Sequence, residues 1–151
     1  MPGPTTLSQA EIDQSFDAWA AGFFDGEGSI SVPMHSDGVY YLIVQVSQNR
    51  LEPLEALRDH YGGNIQFHSM PSMWTWKTSG FVAIEFLKKI RPWLMVKDKQ
   101  ADIAIEFPMV GSGNKTSEEN RLSRKSAREN IMQENRRRYD ARSYGTVSGR
   151  N

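Results

Sequence analysis

The pattern of hydrophobic and polar positions predicts a helix followed by a hairpin. Between positions 9 and 25 the apolar residues recur at three- or four-residue spacing, as on one helix face. They are Ile12, Phe16 and Trp19. Ser8 and Glu11 have the spacing of a capping box at the start of this helix. From position 29 the period becomes two, and a second alternating segment at 39–48 follows the turn signal Ser36-Asp37-Gly38.

The same order of elements then repeats. A short amphipathic helix is predicted at 51–61, a second hairpin at 64–77, and further helices at 81–90, from about position 97 to Pro108, and at 117–138. Leu122, Ala127 and Ile131 form the thin apolar trace of the last helix. Four antiparallel strands with helices covering one face make an α+β fold.

The other face of the predicted sheet is polar in an unusual way. Solvated strand faces usually collect Thr, Lys and Glu, whereas this one is rich in Gln, Asn, His and Ser. Side-chain amides can pair with adenine in the major groove, which strands can enter, so DNA contact is one interpretation and a solvated face is the other. The residues predicted on this face are Ser29, Ser31, His35, Tyr41, Gln45, Asn64, Gln66, His68, Thr75 and Lys77.

Small residues and acids mark the end of the first helix. Ala18, Gly22 and Gly26 lie on one side at i, i+4 spacing, which leaves a groove that a second helix backbone can approach closely. Asp25 and Glu27 then place carboxylates at the negative end of the helix dipole, which indicates a bound cation there, although a polar turn is the alternative. Glycines 26 and 28 are expected to end the helix through left-handed or strained backbone.

Composition and charge limit the remaining possibilities. The chain has 151 residues and no cysteine, and lacks a secretion signal or a long apolar run, so we expect an intracellular protein without disulfides or a membrane span. Residues 1–110 carry 8 Lys and Arg against 13 Asp and Glu, and residues 111–151 carry 10 against 5. A basic tail, including the run at 136–138, is suited to phosphate contact, although a charged helix end explains that run equally well.

The string from Ala20 to Gly28, AAGFFDGEG, resembles the signature of the LAGLIDADG homing endonuclease family. Ala20 stands where Leu is usual, and Glu27 stands where Asp is usual. The segments at 45–48 (QVSQ) and 97–101 (KDKQA) resemble two further family segments, so the similarity covers about residues 16–107. The resemblance implies an αββαββα LAGLIDADG-type core with a four-stranded antiparallel saddle sheet and extra C-terminal helices.

The resemblance also implies an activity. Members with a single motif are homodimers that cleave double-stranded DNA with Mg²⁺ at long, near-palindromic sites, leave short 3′ overhangs and are typically encoded in introns or inteins. We expect Mn²⁺ to substitute for Mg²⁺, and no nucleotide cofactor. By position, Glu27 is the metal ligand assisted by the Gly26 carbonyl, Gln48 positions the attacking water, and Lys97 stabilises charge with Lys99 close by.

These assignments give a domain plan and a set of contacts. Residues 1–10 are expected to be flexible, 11–110 to form the endonuclease core, 111–138 to form a basic helical extension, and 139–151 to be disordered. The helix groove is expected to pack on its own copy about a two-fold axis. The predicted dimer interface consists of Ala18, Ala21, Gly22, Asp25 and Gly26. Outside the sheet, the predicted DNA contacts are Lys99, Arg136, Arg137 and Arg138.

Other functions compatible with the sequence are an RNA maturase and a non-cleaving DNA-binding regulator on the same fold. A glycosidase using Asp25 and Glu27 is disfavoured, because carboxylates two residues apart at a helix end do not flank a sugar from opposite sides.

Overall fold

In the computed structural model the elements follow one another in the predicted order. The helices are α1 (Gln9–Glu27), α2 (Glu52–Tyr61), α3 (Gly80–Ile90), α4 (Asp98–Ile105) and α5 (Glu118–Val147), and a 3-10 turn covers Arg91–Trp93. The strands are β1 (Gly28–Ser31), β2 (Ile43–Gln48), β3 (Asn64–Ser69) and β4 (Ser72–Ser79). The structure describes residues 3, 5–109 and 118–147, and the side chains of α5 up to position 137.

The four strands form one antiparallel sheet in the order β1-β2-β4-β3. Helices cover one face, where Val44, Val46 and Trp76 are fully buried against apolar residues of α1, α2 and α3. The Trp76 indole nitrogen donates a 2.8 Å hydrogen bond to the Gly62 carbonyl, so the largest core side chain has its polar atom satisfied. The predicted α+β fold is confirmed.

The first helix begins as predicted and ends later. The Ser8 backbone N–H donates to the Glu11 carboxylate (2.7 Å), and the Glu11 N–H donates to the Ser8 hydroxyl (3.2 Å), which confirms the capping box. The helix continues to Glu27, and it begins at Gln9, so positions 9 and 10 are helical where we expected a flexible segment.

The predicted apolar stripe of α1 is wrong at two of its three positions. Ile12 and Trp19 are 46% and 42% exposed, whereas Phe16 packs against the core as predicted. The residues of α1 that are fully buried are Ala20, Ala21 and Phe24, and the two alanines suit a close approach of the helix to the sheet and to α3.

Glycine at position 28 is explained by close packing and not by left-handed backbone. Its φ is −86°, which any residue can adopt. A Cβ at Gly28 would lie 2.1 Å from the ring of Phe24, which is fully buried and therefore cannot move aside. The expectation of strained backbone at the helix end is therefore corrected: only a residue without a side chain fits where α1 turns into β1.

The first hairpin has shorter strands than its alternation predicts. Beyond Ser31 the two arms are joined by an isolated bridge between Met34 and Tyr40, and β2 begins only at Ile43. Proline at position 33 lacks an N–H and accepts a 3.0 Å bond from the Tyr41 N–H through its carbonyl, so the ladder is interrupted there.

The last helix extends to Val147, beyond its predicted end at 138. Ala127 and Ile131 are buried as predicted, but Leu122 is 55% exposed, and a charged residue, Arg124, is buried instead. Residues 110–117, which contain the predicted boundary between core and extension, and residues 148–151 of the predicted tail lie outside the described residues. Among the described helices, none has both the length and the apolar character needed to cross a membrane.

A polar sheet face and an acidic helix end

One rung of polar side chains crosses all four strands. Ser29 pairs with Gln45, Gln45 with Lys77, and Lys77 with Asn64. Residues that face each other across antiparallel strands point to the same side of the sheet, so these four side chains form a row on the face that the helices leave open. Ser31, Gln66 and His68 share this face and are exposed. The predicted polar face is therefore present.

The second row of facing residues on this side of the sheet is partly covered by other residues of the protein. Ser47 pairs with Thr75, and their hydroxyl oxygens lie 2.8 Å apart in a hydrogen bond. Thr75 is only 8% exposed, so its prediction as a contact residue is corrected: the hydroxyl is bound within the protein and the side chain is covered. Ile43 is also buried on this side of β2.

Two of the predicted contact residues lie in the first hairpin rather than on a strand. The rings of His35 and Tyr41 lie 4.4 Å apart, and the Tyr41 hydroxyl donates a 2.8 Å bond to the Asp37 carboxylate. The Val39 N–H and then the Tyr41 hydroxyl hold the pKa of Asp37 below its usual value. The same bond raises the pKa of Tyr41, because the hydroxyl donates its hydrogen bond to an anionic partner.

The two acids of the helix end have different surroundings. The Asp25 carboxylate is largely buried and accepts three backbone N–H bonds from the loop before α4, from Met95 (2.8 Å), Val96 (3.2 Å) and Lys97 (3.0 Å). The Lys97 ammonium donates a 2.6 Å bond to the backbone carbonyl of Asp25. Asp25 is therefore an internal anchor, which corrects its prediction as a dimer contact and removes it from a cation site.

The second acid, Glu27, is the last residue of α1 and is exposed. The next residue, Gly28, pairs with Val46 at the start of β1, so Glu27 lies where α1 meets the sheet. Gln48 follows at the end of β2, where its side-chain oxygen accepts a 2.9 Å bond from the Asn49 N–H. The strand alternation places Gln48 on the helix side of the sheet, and the Lys97 ammonium reaches the end of α1 through its bond to the Asp25 carbonyl.

The small-residue seam of α1, which is the groove formed by Ala18, Gly22 and Gly26, is open to solvent on one side. Gly22 and Gly26 are exposed, and an added Cβ at either would meet no atom within 4 Å. Ala18 is half-buried beside them. Ala21, in contrast, is fully buried in the core, so its prediction as a dimer contact is also corrected. The open seam therefore contains fewer residues than the predicted dimer interface.

Among the described residues no cluster of three His, Asp or Glu side chains could by itself hold a metal ion. Glu27 offers one exposed carboxylate at a helix end. Mg²⁺ is commonly held by one or two carboxylates, with water and phosphate oxygens as its other ligands. The donor set therefore fits Mg²⁺ where further oxygen ligands come from outside the chain, and it does not fit zinc.

Sequence reasoning missed some residues that shape the sheet face or hold α5 in place. The Ser47–Thr75 pair depends on the register between β2 and β4, and the buried Arg124 is one of many charged residues in a polar helix. Its guanidinium donates to the carbonyls of Tyr40 (2.8 Å) and Pro108 (2.9 Å). Burial lowers the pKa of this arginine. Lys99 on α4 and Arg136 and Arg137 on α5 are exposed.

A four-stranded antiparallel sheet, covered by helices on one side and polar on the other, defines the class of this α+β protein. Solved structures share the architecture. Homing endonuclease I-CvuI in complex with its target, in the presence of calcium, is 24% identical with a TM-score of 0.59, over 64% of this chain and 67% of that one. The archaeal intron-encoded homing endonuclease I-Vdi141I complexed with DNA is 25% identical with a TM-score of 0.54, over 63% and 67%.

The LAGLIDADG homing endonuclease I-GzeII in complex with a DNA target is 22% identical with a TM-score of 0.58. This alignment covers 85% of the present chain and 45% of I-GzeII. No family model and no curated protein matches the chain. The chain has the LAGLIDADG homing endonuclease fold, in agreement with the resemblance of its motif at Ala20 to Gly28.

Proposed function

We propose that the protein is a homodimeric, Mg²⁺-dependent endonuclease that cuts double-stranded DNA at a long, near-palindromic site and leaves short 3′ overhangs. The observation that carries this proposal is the position of Glu27. It is an exposed carboxylate at the end of α1, directly before the first residue of β1. Proteins of the same fold have been solved with DNA bound.

The residues at this helix end have different roles in the proposed reaction. Glu27, with the carbonyl of Gly26, would hold Mg²⁺, or Mn²⁺ in its place. A bound divalent ion neutralises phosphate charge and lowers the pKa of a water molecule. Gln48 orients the attacking water from the end of β2. Lys97 adds positive charge at the same helix end, where its ammonium is held by the Asp25 carbonyl.

Two observations support a homodimer built on α1. The open side of the helix presents Gly22 and Gly26, so a second copy can approach the backbone closely. The loop bound to Asp25 adds exposed apolar side chains at the same place, with Met95 at 86% and Val96 at 46% exposure. A second copy would cover this surface and bring its own Glu27 close to the axis, which gives one carboxylate for each DNA strand.

The polar face would read the bases. Gln45, Asn64 and Gln66 can each form two hydrogen bonds to adenine, and Lys77 can bind guanine. Ser29, Ser31 and His68 lie around them on the same face and can contribute hydrogen bonds. A two-fold protein that reads DNA in this way favours a site with two related halves.

The decisive experiment replaces the carboxylate at Glu27. We expect Glu27→Gln to abolish cleavage of a site selected from a randomised DNA library, while the dissociation constant for that site changes by less than about threefold, because the contacts to bases and phosphates remain. The matched control is Glu85→Gln, which changes an exposed acid on α3, on the covered side of the sheet. Cleavage that persists in Glu27→Gln contradicts the assignment.

The second candidate is a non-cleaving DNA-binding regulator or an RNA maturase on the same fold. The burial of Lys97, which is 7% exposed with its ammonium bonded to the Asp25 carbonyl, favours it, because that contact is structural. Wild-type protein that binds selected DNA, or folded intron RNA, and cuts neither with Mg²⁺ nor with Mn²⁺ would establish this alternative.

A further inference from the structure

The polar sheet face carries little positive charge for a surface that binds DNA. In the four described strands the single lysine or arginine is Lys77. Residues 1–110 as a whole carry 8 Lys and Arg against 13 Asp and Glu. Neutralisation of phosphates supplies most of the non-specific affinity of DNA-binding proteins, so the cations must come from another element.

The long helix α5 lies beside the free edge of the sheet. Strand β1 is one of the two edge strands, and a cavity of about 250 Å³ lies between it and α5. The cavity is lined by Ile30, Ser31, Val32 and Pro33 from the β1 side and by Arg128, Ile131, Met132 and Asn135 of α5. Ser31 belongs to the polar face, so this flank of α5 borders that face directly.

Four cations lie along this flank. Positions 121, 125, 128, 132 and 136 of α5 are separated by four, three, four and four residues, so their side chains lie on the same side of the helix as Met132. The basic flank consists of Arg121, Lys125, Arg128 and Arg136. Arg121, Lys125 and Arg136 are exposed, Arg121 also pairs with Glu118 at 3.7 Å, and the guanidinium of Arg128 lies 5.7 Å from the Tyr40 ring centroid. The fifteen helical steps from Arg121 to Arg136 extend over about 22 Å, enough to follow several phosphates.

The rotation of α5 about its own axis is fixed by contacts with the body. The Arg124 guanidinium donates to the Tyr40 and Pro108 carbonyls and lies 5.0 Å from the Phe107 ring centroid. The Gln100 amide donates a 3.1 Å bond to the Asn135 side chain. The basic flank is therefore held next to β1.

The same rotation separates neighbours in the arginine run. Arg136 follows Met132 by four positions and shares its side of the helix, whereas Arg137 is turned about 100° further. Arg137 pairs with Glu134 at 3.3 Å. The side chain of Arg138 lies outside the described part of α5. The run at 136–138 is thus divided, and only Arg136 belongs to the basic flank.

We propose that the basic flank of α5 is a second DNA-binding surface, which binds the phosphate backbone of the duplex that lies across the sheet, next to β1. The proposal rests on the proposed function and adds a division of labour to it. The sheet reads bases through amides and hydroxyls, and α5 supplies the electrostatic, sequence-independent part of the affinity.

The test compares two charge-matched triple variants of the full chain. One carries Arg121→Gln, Lys125→Gln and Arg136→Gln, and the other carries Arg58→Gln, Lys88→Gln and Lys89→Gln, which are exposed cations of α2 and α3. Binding to a fluorescent duplex that contains a selected site is measured in EDTA between 50 and 300 mM KCl, about a sixfold range over which phosphate contacts are resolved.

In the basic-flank triple we expect the dissociation constant to rise at least about tenfold at 150 mM salt, and the slope of log K against log salt to fall by about 5, because the two chains of the dimer together lose six cations. The control triple should lose less than about threefold with a nearly unchanged slope, and Arg136→Gln should weaken binding more than Arg137→Gln. Equal losses in the two triples, or none in the basic-flank triple, overturn the proposal while DNA binding by the wild type stands. A wild type that binds no duplex overturns the proposed function as well.

Discussion

At the scale of single residues, two acids that lie two positions apart in the motif have opposite surroundings. Asp25 is 9% exposed and accepts three backbone N–H bonds, while Glu27 is exposed at the helix end. The cause is geometric, because residues two apart on a helix point about 200° away from each other. The motif therefore contains one structural carboxylate and one carboxylate available for chemistry.

Removing the structural carboxylate should cost stability. We expect Asp25→Ala to lower the free energy of unfolding by about 3 kcal/mol, because the N–H groups of residues 95–97 lose their shared acceptor. Urea denaturation followed by circular dichroism measures this loss. The neighbouring control Glu27→Ala should stay within about 0.5 kcal/mol. An Asp25→Ala protein as stable as the wild type would contradict the anchoring role.

Tyr61 gives a second residue-level prediction, on the pH dependence of stability. Its hydroxyl donates a 2.5 Å bond to the Asp17 carboxylate, and burial, with that bond and the Asp17 charge, raises the pKa of Tyr61 far above its usual value near 10. A raised pKa means that this stabilisation is complete below about pH 10 and is lost as the pH rises further. Tyr61→Phe should lower stability at pH 7 by about 1 kcal/mol.

Urea titrations between pH 7 and 11 provide the measurement. The stability difference between wild type and Tyr61→Phe should shrink above pH 10. A difference that is constant over this range would show that the tyrosine proton is not coupled to folding.

At the scale of elements, the first helix shows why periodicity alone misassigned two of the three stripe positions. Ile12, Phe16 and Trp19 have helical spacing, but the close approach of α1 to the sheet requires Ala20 and Ala21 there. The large side chains form a ring stack on the flank, with Trp19 and Phe23 5.3 Å apart. Hydrophobic period indicates that a helix is present, whereas packing distance decides which face is buried.

The open seam of α1 leads to a prediction with opposite effects on folding and assembly. Gly22→Ala adds a methyl group that meets nothing within 4 Å in the single chain, so intrinsic stability should rise by up to about 1 kcal/mol through helix propensity. The same methyl group should weaken a dimer in which two backbones touch at this position. Sedimentation measures the dimer constant, and thermal unfolding measures the chain.

A matched change on another side of the same helix is Gln9→Ala, at an exposed position rotated about 140° from Gly22, and it should leave the dimer constant within about twofold. An unchanged dimer constant in Gly22→Ala would place the interface elsewhere.

At the scale of the whole molecule, the proposed homodimer makes one chain half of a working unit. The sheet carries the amides, α5 carries the cations, and each chain offers one exposed motif carboxylate. If two chains form the unit, unfolding is linked to dissociation. We therefore expect the thermal midpoint to rise with protein concentration over the micromolar range.

Differential scanning calorimetry at protein concentrations that differ by about a hundredfold tests this expectation. The Gly22→Ala chain should show a smaller shift of the midpoint than the wild type. A midpoint that is independent of concentration in the wild type would identify a monomer and remove the basis for a near-palindromic site.

The sequence by itself determined the order of elements, the capping box, the turns and the polar face, because each depends on residues close together in the chain or on strand alternation. The nine-residue motif also indicated the fold. Only the tertiary structure decided that Asp25 binds the loop before α4 and that the Thr75 hydroxyl is hydrogen-bonded to Ser47. It also decided that α5 lies beside β1 with Arg124 buried. Those facts depend on contacts between residues far apart in sequence, and such contacts follow from register and packing rather than from local pattern.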